Sequence, residues 1–283
     1  MAIPRFKIKK IFFTAIEVIL LLVLFSCGDN ISLNSPKGLV VIIKADDLGD
    51  TTPNWNRFMK MVVDKQINAG VGIIAKKVTK SGSITEIQRV SNILQDNKFP
   101  VIEFWNHGYD HSKINGVEEF MRTTDNFQFE HIQLAQNFFV QNLHFTAHTF
   151  SAPFNKTSKE TLSVLSHFPE INVWMCYQKL ETEYSKDWKD PNQKVIHLYD
   201  KHIILNVDYL YVHDFPADKI IDNYNEDKNK PYILIQIHPA GWTDEDFNEF
   251  DQLIHFYKDS NRAMFMTPYQ YYQYLHKNLT PDD

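Results

Sequence analysis

The sequence predicts an α/β protein, a closed or nearly closed (β/α) barrel of about seven strands in a single domain. Apolar runs of strand length alternate along residues 38–283 with amphipathic stretches that carry their own helix-start signals. Alternation of that kind implies a parallel sheet covered by helices. A glycine-rich dinucleotide fingerprint is missing. About seven strands in about 245 residues suit a barrel better than an open doubly wound sheet.

The first strand is read in GLVVIIKADD (38–47), a continuous β-branched run of the kind buried on both faces. NAGVGIIA (68–75), FPVIEFW (99–105), LHFTAHTF (143–150) and INVWMCY (171–177) follow as strands, then YILIQIH (232–238) and RAMFMTP (262–268). Helix starts lie between them. Ser83 and Glu86 form a capping box ahead of Ile84, Ile87, Val90 and Leu94, and Thr157 with Glu160 forms another. Residues 243–259 place Phe247, Phe250, Leu253, Ile254 and Tyr257 on one helical face. Thr267, Pro268 and Gln270 combine a cap, a first-turn proline and a capping-box glutamine. Residues 178–231 are less regular and are expected to hold loops, with room for a hairpin.

Residues 1–37 read differently. RFKIKK (5–10) is basic, IFFTAIEVILLLVLF (11–25) is almost wholly apolar, and SCGDN follows, the order of an export signal over residues 1–26. The apolar run is short for a membrane span, which needs about 20 residues. LFSC (24–27) resembles a lipoprotein box, which makes Cys27 the lipidated first residue of the mature chain and residues 27–37 a polar tether. A plain N-terminal anchor helix is the alternative. Either reading puts residues 38–283 outside the cytoplasmic membrane, in the cell envelope. Cys176 then lacks a partner, and the fold is not disulfide-stapled. The net charge of −6 argues against nucleic acid as a partner.

In a (β/α) barrel the chemistry collects at the C-terminal ends of the strands. The first strand ends in Asp46–Asp47, and the third at Asn106–His107, running on through Gly108 to His111. The fourth ends in SAPFN (151–155), and the strand at 232–238 ends in His238, followed by PAGW (239–242). His107 and His111 are about one helical turn apart and can converge on one ion. Adjacent carboxylates cannot both ionise cheaply without a cation. A divalent ion held by one Asp and two His balances them and leaves positions open for water and substrate. The other Asp can then serve as general base, and a histidine from another strand as general acid.

These residues resemble the polysaccharide deacetylase superfamily, carbohydrate esterase family four with its NodB-homology domain. KADDLG is similar to the family's first motif, HGYDH to its H-x-x-x-H metal motif, SAPFN to its Arg-x-Pro-Tyr motif and QIH to its Leu-x-His motif. The resemblance covers residues 39 to about 270 and implies a distorted (β/α) barrel. It implies that Asp46 is the general base and that Asp47, His107 and His111 hold Zn²⁺ or another divalent transition metal. It makes His238 the general acid and aligns Pro153 and Phe154 with the third motif, where the Phe154 N–H would face the oxyanion. The implied activity is removal of N- or O-acetyl groups from an acetylated oligo- or polysaccharide.

The chain also departs from that pattern. Ser151 stands where the family has an arginine that pairs with the base, and Gln236 where a leucine lines the acetyl pocket. Asp187–Trp188 matches only part of the Asp-x-x-Asp-Trp motif that supports the acid. Trp242 suits either a sugar-stacking face or a core staple, and His148, at the end of the fourth run, is a further candidate for substrate contact. A silent metal- or carbohydrate-binding protein and a metal-dependent hydrolase of another acyl or amide bond are the competing readings.

Overall fold

In the computed structural model the described residues are 38–95, 98–121, 124–177, 195–198, 202–211 and 215–279. The expected signal, Cys27, the tether and Asp187–Trp188 lie outside them. The chain runs β1 (Val40–Leu48), α1 (Pro53–Asp64), β2 (Ala69–Ile73), α2 (Ser81–Ser91), β3 (Ile102–Asn106) and a small hairpin, β4 (Lys113–Ile114) with β5 (Val117–Glu118). It continues through α3 (Asp125–Phe138), β6 (Thr149–Phe150), α4 (Glu160–Leu165), β7 (Val173–Cys176), β8 (Val195–Leu198), β9 (His202–Asn206) and β10 (Tyr209–Leu210). The last elements are α5 (Ala217–Asp222), β11 (Tyr232–Ile237), α6 (Asp244–Ile254), β12 (Met264–Phe265) and α7 (Pro268–Leu279).

The main sheet has the order β10-β11-β1-β2-β3-β6-β7-β9-β8, with β12 beside β1. Its neighbours are parallel except β8 and β9. β8 and β10 end the path and do not pair with each other among the described residues, so this is a distorted (β/α) barrel.

Alternation along β1 sorts its side chains. Val40 and Ile42 join Trp105, Met175, Ile203 and Leu234 in one cluster that fills the barrel lumen. Val41, Ile43 and Ala45 face the other way, into a layer with Phe58 of α1 and with Phe247 and Phe250 of α6. Lys44 and Asp46 share the parity of Val40 and Ile42, so the lumen row of β1 changes from apolar to charged toward its C-terminal end. Leu234 and Gln236 make a parallel row on β11, in register with β1 at Lys44 and Gln236, and His238 follows directly after the strand.

Helix starts follow local chemistry. Thr52 caps α1 ahead of Pro53, and Trp55, Phe58, Met59 and Val62 form its buried stripe. Thr243 and Asp246 close a capping box on α6, whose expected apolar face is buried. Thr267 and Gln270 cap α7 reciprocally, as expected.

Other boundaries move. Ser83 does not cap α2, which begins two residues earlier; its Oγ accepts the Thr51 N–H at 3.0 Å and ties the helix to the loop after β1. Thr157 does not cap α4 either; there the Thr161 Oγ accepts the Ser158 N–H. The run 143–150 is a strand only at Thr149–Phe150. Its start is the end of a π-helical turn at Phe139–Leu143, closed by His144 in the left-handed region (φ 64°). Within 178–231 the apolar residues of HIILN form β9, which pairs with β7 and with β8.

The lumen needs glycine at one point. Gly70 and Gly72 on β2 leave room for Trp105, and a Cβ on Gly72 would lie 2.3 Å from its indole. Gly72→Ala should therefore lower the unfolding free energy by about 1–3 kcal/mol in urea titration. Gly82→Ala, where a Cβ meets nothing within 4 Å, should not destabilise.

Candidate metal centre

Asp46, His107 and His238 end three lumen rows at the same end of the barrel. Asp47 would point outward if β1 continued its alternation. Instead it takes the left-handed conformation (φ 73°) at a register shift between Ala45 and Leu48. Aspartate tolerates that backbone better than most residues. The turn brings Asp47 to the same site as Asp46.

There the Asp47 Oδ1 lies 3.1 Å from His107 Nε2 and 3.0 Å from His111 Nε2. Ligand atoms from all three residues lie within 4.8 Å of one another. Burial pushes the Asp47 carboxyl pKa up, but the hydrogen bonds and charges of His107 and His111 outweigh it and hold the group far below the usual carboxylate range. An ion with bonds of about 2.1 Å spaces neighbouring ligands roughly 3.0–3.4 Å apart, so this triad fits a divalent metal. The His107 Nδ1 donates to the Ser151 carbonyl at 2.8 Å, which leaves Nε2 as the free ligand atom. The Asp46 Oδ1 is buried with no partner among the described residues, so the site has an acceptor waiting for a donor.

The loop carrying His111 is pinned from two sides. Its carbonyls at Gly108 and Tyr109 accept from Ala75 and Lys76 at 3.3 and 2.8 Å. On the other side the buried Glu119 carboxylate takes the N–H groups of Tyr109 (2.8 Å), Asp110 (3.4 Å) and His111 (2.7 Å), and His131 Nδ1 at 2.7 Å. Gly108 (φ 77°) allows this approach, since a Cβ there would lie 2.9 Å from both Glu119 Oε2 and Pro153 Cγ. Asp110, Glu119 and His131 form a second group close enough for a metal. The Glu119 oxygens are already engaged by these donors.

No protein-family model and no curated protein matches the sequence. Solved structures do. The Xyl-CE4 domain of a multidomain xylanase from the hindgut metagenome of Trinervitermes trinervoides is 11% identical, with a TM-score of 0.54 over 87% of this chain and 94% of that one. A family 4 acetyl xylan esterase from Clostridium thermocellum, in complex with a cobalt ion, is 13% identical, with a TM-score of 0.53 over 86% and 93%. The peptidoglycan deacetylase PdaC from Bacillus subtilis is 13% identical, with a TM-score of 0.53 over 86% and 94%. This is the polysaccharide deacetylase fold.

Within that fold Asp46, Asp47, His107, His111 and His238 come together, but residues 107–111 are a loop with Gly108 and His111 at positive φ, not the helical turn expected from their spacing. His238 Nε2 lies 3.7 Å from Asp47 Oδ2, and its Nδ1 donates to the Tyr211 carbonyl at 2.9 Å. A backbone carbonyl thus orients His238. Phe154 sits at the rim in the left-handed region (φ 61°), 41% exposed, with its ring 4.2 Å from that of His111. Pro153 is buried against Gly108. Trp242 corrects the sugar-stacking expectation: it is 8% exposed and packs on Phe58, Phe215, Phe247 and Phe250, a core staple with no free face for a sugar. His148 stacks on Tyr269 at the start of β6, the opposite end of that strand from Ser151.

Lys44 corrects the expectation that a metal must balance both aspartates: its ammonium pairs with Asp46 inside the barrel. Glu119 has no local signal in the sequence, and Gln236 is engaged by Asn155 at 2.9 Å. Glu119→Gln turns an acceptor into a donor facing N–H groups. It should weaken Zn²⁺ binding about ten- to a hundredfold in calorimetry, the usual cost of losing an outer-shell partner.

Proposed function

We propose that the protein is a metal-dependent carbohydrate deacetylase, acting on N- or O-acetyl groups of an acetylated oligo- or polysaccharide. The observation carrying this reading is the convergence of Asp47, His107 and His111 beside Asp46 and His238 at one end of a deacetylase-type barrel. Asp47 Oδ1 and the Nε2 atoms of His107 and His111 would hold Zn²⁺ or another divalent transition ion. When bound, such an ion supplies Lewis-acid chemistry, making water more acidic and polarising an acyl oxygen.

The protein's own groups supply the rest. Asp46 Oδ1 accepts the proton of the hydrolytic water, while Oδ2 stays on Lys44. The Phe154 N–H donates to the acyl oxygen as charge develops there. His238, held through Nδ1, delivers a proton from Nε2 to the departing amine, or to the alcohol of an ester. The exposed ring of Phe154 offers the rim an apolar face for a sugar.

Acetate release should be measured on acetylated chito-oligosaccharides, peptidoglycan and xylan, with protein stripped of metal and then given Zn²⁺. Asp46→Asn and His238→Ala should each lower kcat by about 10²–10⁴-fold while keeping a single equivalent of metal. Asp47→Asn should lose the metal itself. Metal bound at one equivalent with no acetate from any substrate would sink the deacetylase reading in favour of a silent binding protein, or of another acyl group.

The export signal and LFSC support a lipid anchor in the cell envelope. Labelled fatty acid should enter the wild-type protein in bacterial cells and not Cys27→Ser.

A further inference from the structure

Lys44 is a lysine in the interior of the barrel. Its side chain is 0% exposed, on a strand whose other lumen residues below it are Val40 and Ile42. An ammonium there is costly unless every direction it faces offers compensation. Three groups do so. Nζ donates to Asp46 Oδ2 and, at 3.4 Å, to Asn155 Oδ1, and it lies 5.3 Å from the centre of the Trp105 ring. Asn155 is oriented in turn, since its amide donates to Gln236 Oε1 at 2.9 Å. Gln236 is the register partner of Lys44 on β11, and Gly70 is its partner on β2, where no side chain competes for the space.

The network diverges from Lys44, which donates to one oxygen of Asp46 and, on the other side, to Asn155, which donates on to Gln236. The other oxygen, Oδ1, is buried without a partner among the described residues. His107 Nε2 is 3.9 Å from Oδ2, beyond hydrogen-bond range, and Asp47 is occupied by the two imidazoles. Among the described residues Lys44 is therefore the cation that Asp46 directly engages.

From this geometry we infer that Lys44 is a positioning residue for catalysis. It fixes one oxygen of Asp46 and leaves the other presented to the site, and Asn155 and Gln236 hold Lys44. Among the described residues the ammonium makes no hydrogen bond to Asp47, His107 or His111. This inference rests on the deacetylase reading above. A lysine kept only for packing would be replaceable by a neutral side chain of similar length.

The test compares Lys44→Met, Lys44→Gln and Lys44→Arg in the full chain, by acetate release and by Zn²⁺ calorimetry. Lys44→Met should still bind a single equivalent of Zn²⁺ and keep KM within about threefold, while kcat falls by about 100-fold or more. Lys44→Gln can still donate a hydrogen bond to Asp46 and covers the case in which the methionine variant does not fold; it should show the same split. Lys44→Arg restores the charge and should recover at least about a tenth of wild-type kcat. Wild-type kcat in either neutral variant would overturn the inference, as would an arginine variant that folds and binds metal yet is no better than methionine. If the wild type itself releases no acetate, the deacetylase reading fails and this inference falls with it. Acetate from wild type together with undiminished turnover in Lys44→Gln sinks the Lys44 role alone.

Discussion

The site depends on how negative charge is balanced at the end of one buried strand. Asp46 and Asp47 are adjacent, and two carboxylates this close raise each other's free energy steeply in a low-dielectric interior. The structure separates them by conformation. Asp46 follows the lumen row and meets an ammonium from below; Asp47 is turned by a left-handed backbone and meets two imidazoles from β3 and its following loop. Each carboxylate thus has its own counter-groups. Change the parity of β1 by one residue and the charges would face Phe58 and Phe250 instead.

Much of this was legible in the sequence because strand ends in a parallel barrel are easily found. Continuous apolar runs identify the strands, and the polar residues that end them, Asp46–Asp47, His107 and His238, are forced to one face. The spacing of His107 and His111 carried the rest of the triad. What was not legible depended on tertiary neighbours. Glu118 and Glu119 are chemically alike and adjacent; one pairs with Lys113 near the surface and the other is buried beneath the His111 loop. Nothing local distinguishes them. Lys44 could have been suspected, since a lysine inside GLVVIIKADD shares the parity of Asp46. Trp242 shows the reverse: an aromatic beside a site histidine looks like a binding residue until its neighbours, drawn from three helical or loop segments, prove to be a core.

Order around the triad comes from backbone as much as from side chains. Ser151 and Tyr211 contribute carbonyls that fix the Nδ1 atoms of His107 and His238. Main-chain contacts survive side-chain substitution, so these two imidazoles keep their orientation although Ser151 and Tyr211 themselves are ordinary residues. His111 is held differently, through a loop whose main-chain N–H groups Glu119 gathers and whose carbonyls accept from Ala75 and Lys76.

The filled lumen has a consequence for evolution. With Trp105, Lys44 and the apolar rows plugging the barrel below the aspartates among the described residues, the polymer of the proposed function would approach the site from the loop side. Contacts with most of a long ligand must then fall on segments beyond the strand ends, such as the β4–β5 hairpin and the turn bearing Phe154. Those segments can lengthen, shorten or change composition without disturbing the packed rows that set the charges. Preference for a ligand and capacity for chemistry are thus encoded in separable stretches of chain, and a lineage can exchange one while inheriting the other.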